Sequence, residues 1–72
     1  MIKISDVLSP NYKGVSGELL DGGDGFYYLK LFWEGKEYVR KGYEKAHVRD
    51  IFLSDYAWMS LEELYEDVIL GV

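Results

Sequence analysis

Seventy-two residues with no cysteine and a single histidine, His47, exclude a disulfide scaffold or a thiolate metal cage and leave room for one domain, residues 1–72. So short a chain buries only about 60–65% of its unfolded surface, so its seven Tyr, three Phe and two Trp must supply much of the core. The net charge of −5 is segregated, with −2 over residues 1–35, +3 over 36–49 and −6 over 50–72, where no basic residue occurs. A negative flank of that kind repels nucleic acid and attracts basic surfaces.

Ile2 and Ile4 alternate with polar neighbours and, with Val7-Leu8, predict a short first strand stopped by Ser9-Pro10-Asn11. The opening residues lack the apolar centre of a signal peptide, and no apolar run approaches the roughly 18 residues of a membrane span. A soluble, cytoplasmic protein is expected. Gly14 to Leu20 alternates loosely and predicts a second strand, weakened by its glycines.

Asp21-Gly22-Gly23-Asp24-Gly25 offers carboxylates in a glycine-rich loop, the ingredients of a calcium site. The third and fifth positions of such a loop are glycine here, so the ligand pattern fails. A phosphate cradle needs a lysine and a following helix, and a strand follows instead. The stretch is predicted to be a turn, and neither a metal nor a cofactor is expected.

Phe26 to Trp33 is rich in residues that suit a pleated surface, Glu34-Gly35-Lys36 makes a tight turn, and Glu37 to Lys41 returns. Period two places Tyr27, Leu29, Leu31 and Trp33 on a core face and Tyr28, Lys30 and Phe32 on a wet one. Turn loops of two, three or four residues all fit, so the register of this central hairpin, residues 26–41, stays open.

After Gly42 the spacing of Val48, Ile51 and Phe52 predicts a short helix over roughly 44–53. Ser60-Leu61-Glu62-Glu63 reads as a capping box, with Met59 and Leu64 as a hydrophobic staple around it. Leu61, Leu64, Tyr65, Val68 and Ile69 form an apolar stripe, Glu62, Glu63, Glu66 and Asp67 cover the opposite side, and Gly71 suits the helix end. The expected fold is α+β, an antiparallel sheet of three to four strands packed against one or two C-terminal helices.

Chemistry is poorly provided for. His47 has no cysteine, and no serine in a nucleophile elbow, to pair with it. The adjacent Glu62 and Glu63 point apart on a helix and make no carboxylate dyad. Catalysis also needs a cleft of a few hundred Å³, which a domain this small rarely spares, so no enzyme is expected. Tyr56-Ala57-Trp58-Met59, expected in the connection before the last helix, reads either as an anchor cluster for a partner or as a plug beneath that loop.

The expected function is non-catalytic protein binding. The expected partner-binding residues are Glu62, Glu63, Glu66 and Asp67, whose carboxylates would imitate spaced phosphates, with Asp55 beside them and the rings Tyr28, Phe32, Tyr56 and Trp58 adding contact area. The expected partner is a protein with a basic, nucleic-acid-facing surface. Compact, cysteine-free, acidic and aromatic-rich chains of this type resemble phage-encoded proteins that block host or defence enzymes, a likeness of type that no specific motif carries. Two alternatives belong beside it. One is a small nucleic-acid-binding domain that uses the aromatic hairpin and the basic 36–49 stretch. The other is a homo-oligomer, such as a homodimer, with the rings buried between copies.

Overall fold

The central hairpin sets the sheet. In the computed structural model, which describes residues 1–71, β3 (Phe26–Trp33) returns as β4 (Lys36–Glu44) through Glu34 and Gly35 alone. Both turn residues have positive φ, 48° and 78°, the type I′ geometry whose twist matches that of the flanking strands. Trp33 therefore faces Lys36, and Leu31 faces Tyr38. β4 runs on past Lys41 to Glu44, with a bulge opposite Phe26–Tyr28.

β1 (Ile2–Leu8) and β2 (Ser16–Asp21) complete a meander in the order β1-β2-β3-β4, antiparallel throughout. Alternation gives the sheet one dry face. Val7, Leu19, Tyr27, Leu29 and Leu31 point into the core, and α1 (Leu53–Tyr65) lays Ala57, Leu61 and Leu64 across them. Fully burying a leucine such as Leu19, Leu29, Leu31 or Leu61 stabilises the fold by roughly 1.5–3 kcal/mol. Gly17 is what lets Leu61 descend that far. A Cβ at position 17 would lie 1.9 Å from the Lys30 carbonyl oxygen and 2.9 Å from Leu61 Cδ1. The glycine that weakens β2 by propensity is required by packing.

The C-terminal third departs from the sequence reading. No helix spans 44–53; the segment forms 3₁₀ turns at Lys45–His47 and Asp50–Phe52. Ile51 is 79% exposed and Phe52 53%, so the helical spacing there meets no surface to bury against. The true helix starts at Leu53 behind Phe52, with no side-chain cap, and runs through Ser60. Ser60 is a mid-helix residue, so the capping box does not form. Nor does the staple, since Leu64 is buried while Met59 is exposed. The sheet-facing stripe Ala57-Leu61-Leu64 extends the helix backward across Tyr56–Met59, which is therefore helix and no connection. The helix ends in a π-helical turn, Glu66–Leu70, closed by left-handed Gly71. One helical unit covers the sheet, in an α+β fold. Among the described residues no helix is long and apolar enough to cross a membrane.

Candidate functional site

The Asp21–Gly25 loop is a turn. Asp21 Oδ1 accepts the Gly23 N–H at 3.0 Å, and Asp24 Oδ1 accepts the Phe26 N–H at 3.1 Å. The remaining oxygens take the Lys45 ammonium at 2.5 Å and the Tyr28 hydroxyl at 2.6 Å. The Lys45 bond first and the Gly23 bond second hold the Asp21 carboxyl below its ordinary pKa. Both carboxylates are turned onto the chain itself.

The acidic residues of the C-terminal helix do not form one free face. Glu62 is only 9% exposed, against the expectation that it lies on the wet side. Its Oε2 accepts the Ser9 hydroxyl at 2.6 Å and the Asn11 N–H at 3.2 Å, and its Oε1 accepts Asn11 Nδ2 at 3.1 Å. Burial pushes the carboxyl upward, but the Ser9 and Asn11 bonds together outweigh it and bring the pKa below its ordinary value. One turn on, Glu66 accepts the Tyr12 hydroxyl at 2.7 Å, and the Tyr12 ring packs 5.0 Å from Tyr65, centre to centre. The connection between β1 and β2 thus straps the helix down. Asp67 pairs with Arg40 at 2.8 Å, which ties part of the basic stretch to the acidic one. Asp55 and Glu63 are exposed and have no ion-pair partner among the described residues.

The predicted rings separate as well. Tyr28 and Phe32 lie on the open face of the sheet, opposite the helix, so they cannot share a contact surface with α1. Phe26 joins them there, with Lys41 over its ring at 3.9 Å. Two lysines on that face are matched by acids, Lys3 by Asp6 and Glu18 and Lys30 by Glu37, while Lys41 makes no ion pair among the described residues. Trp58 is half-buried against the core beside β1. Tyr56 lies between α1 and β4, where its hydroxyl oxygen accepts the Tyr43 N–H at 3.1 Å. It fits because position 42 is glycine; a Cβ there would lie 1.5 Å from the Tyr56 hydroxyl. Burial raises the Tyr56 pKa.

Against the expectation that so small a domain spares no cleft of a few hundred Å³, the structure assembles a groove of about 410 Å³ between the end of β4, the 3₁₀ turns and the first half of α1. Tyr43, Val48, Phe52, Tyr56 and Met59 give it an apolar lining, and His47, Arg49, Asp55, Ser60 and Glu63 complete it. Tyr43, Phe52 and Met59 are 63%, 53% and 55% exposed, large for apolar side chains gathered in one place. His47 leans on Glu44, Nε2 to carboxylate 3.8 Å, and its side chain is 71% exposed. Of the residues predicted for partner binding, Asp55, Tyr56 and Glu63 meet here. The sequence reading missed Tyr43, Phe52 and Met59 as a unit, because their proximity depends on where β4 ends and α1 begins. No family model, curated protein or solved structure matches this chain.

Proposed function

We propose that the protein is a non-catalytic protein-binding module that seats an apolar and basic segment of a partner protein in the groove between β4 and α1. The observation that carries this reading is the groove itself. Aromatic and methionine side chains line it, and among the described residues Asp55, Glu63 and Arg49 on its walls make no ion pair, which leaves the acids in excess by one charge. Buried apolar contact supplies affinity, and the carboxylates select a cationic neighbour and speed encounter. Seated on a nucleic-acid-facing surface, such a module acts as an antagonist by occlusion. The charge available for imitating phosphates is then that of Asp55 and Glu63, because Glu62 and Glu66 serve the strap.

The test is affinity measured on a captured partner with two sets of variants. Phe52→Ser with Met59→Ser, and Asp55→Lys with Glu63→Lys, are expected to weaken binding tenfold or more, consistent with about 1.4 kcal/mol or more per pair. Lys30→Ala on the open sheet face leaves it unchanged. Groove variants that bind as the parent does remove the proposal.

A second reading rests on the open face, where Phe26, Tyr28 and Phe32 stand among Lys3, Lys30 and Lys41. Single-stranded nucleic acid stacks on such rings. Oligonucleotide binding that weakens steeply with salt favours it, and none at low salt dismisses it.

A further inference from the structure

β4 is an edge strand, and among the described residues no hydrogen bond outside the sheet ladder engages its backbone from Lys36 to Lys41. α1 packs against β1, β2 and β3, and the residues from Lys36 to Lys41 are exposed or half-exposed. Over that stretch the ladder with β3 is regular, from Trp33 opposite Lys36 to Tyr28 opposite Lys41. A two-residue type I′ turn closes on a hydrogen-bonded pair, here Trp33 and Lys36. Tyr38 and Arg40 follow it in bonding to β3, so Glu37, Val39 and Lys41 direct their N–H and C=O groups outward. Beyond them the Tyr56 hydroxyl occupies the Tyr43 N–H, which closes the edge at that end. The other edge, β1, is interrupted by a register shift between Lys3 and Ser5.

Charged side chains on an edge ordinarily discourage pairing. Here their order favours one arrangement. If two copies align antiparallel with Val39 opposite Val39, then Glu37, which lies a loose 4.0 Å from Lys30 of its own chain, stands opposite Lys41 of the second copy, and Lys41 opposite its Glu37. Sliding the strands one way sets Glu37 against Glu37, and the other way Lys41 against Lys41. The intermediate registers match Glu37 with Val39 or Val39 with Lys41 and gain no ion pair. The Val39 register also pairs the outward-facing residues with one another, as an antiparallel ladder requires.

We propose that the protein forms a twofold dimer through β4, antiparallel about Val39, joining two four-stranded sheets into one continuous sheet with both helices on the same face. This goes beyond the groove reading and does not depend on it, since the paired stretch ends before Gly42.

The test is sedimentation of the parent chain, of Glu37→Lys, of Lys41→Glu and of the two combined, each checked for fold by circular dichroism. The parent is expected to sediment as a dimer of the 8.4 kDa chain at high micromolar concentration. Each single reversal sets like charges opposite each other across the axis and weakens the dimer by about tenfold or more, since both symmetry-related pairs change sign. The double variant restores the pairs in exchanged order and recovers the parent's dimerisation. A parent that stays monomeric, single reversals that dimerise like the parent, or a double variant no stronger than the singles would each overturn the proposal.

Discussion

Replacing Glu62 by alanine removes the acceptor for three donors on the β1–β2 connection, the Ser9 hydroxyl and the Asn11 N–H and side-chain amide. A hydrogen bond to a charged group contributes about 1.5–3 kcal/mol where the freed donor stays buried. Asn11 is exposed and Ser9 half-buried, so water recovers part of the loss. Ser9 Oγ also keeps the Asn11 and Tyr12 N–H groups. The net cost is then about 2–3 kcal/mol, against a total stability of roughly 4–11 kcal/mol for a chain of this size. That lowers Tm by about 8–24 °C. Glu63→Ala, one residue on and exposed, should stay within about 0.5 kcal/mol of the parent. Thermal and urea denaturation followed by circular dichroism measures both. Equal stability of the two variants would refute the strap, because the contrast between adjacent acids depends on it.

The same carboxylate gives the acid limb a sign. Its folded pKa lies below the ordinary 4.5, so its stabilisation is present at neutral pH and is lost as pH falls from about 4.5 through the folded value; Glu62→Gln should flatten that limb in denaturation curves taken between neutral pH and pH 3. Gly17→Ala should destabilise by about 2–3 kcal/mol in urea, because the new methyl meets backbone, whereas strand propensity alone gives a gain. Gly42→Ala should displace Tyr56 and cost about 1–3 kcal/mol; hydrogen exchange should show faster loss of the Tyr43 amide proton, and unchanged protection there refutes the packing account. Glu34→Asn in the type I′ turn should raise stability by about 0.4–1 kcal/mol, read as a shift in the urea midpoint, because asparagine tolerates the positive φ that glutamate adopts at 48°.

The sheet was legible in the sequence because β3 carries a clear alternation and each strand's neighbours are adjacent in the chain, although Ile2 and Ile4 of β1 alternate without being buried. Tyr27, Leu29 and Leu31 fall on the dry face as period two requires, and Asp21–Gly25 turns as its composition demands. The helix was legible only in its second half. Ser60 with Glu63 imitates a cap, and local chemistry at Ser60 cannot reveal that a sheet waits to receive Ala57 one turn earlier. Val48, Ile51 and Phe52 show the opposite failure, a helical spacing of which only Val48 finds the core to pack against. Glu62 had a readable signal. It lies between Trp58 and Tyr65 at i−4 and i+3, so its stripe is partly apolar, which marks a carboxylate that needs local donors. The groove showed only through the Tyr56–Met59 cluster, since the rest of it exists only where three separate segments converge.

The strap also bears on how the molecule forms and comes apart. Strands that pair only with sequence neighbours close short loops and assemble early, whereas the bonds from Ser9, Asn11 and Tyr12 to the helix span 51 to 54 positions. Bonds that close loops so long are expected to form after the barrier is crossed, so severing them, as in Glu62→Ala, should hasten unfolding and leave the folding rate nearly untouched.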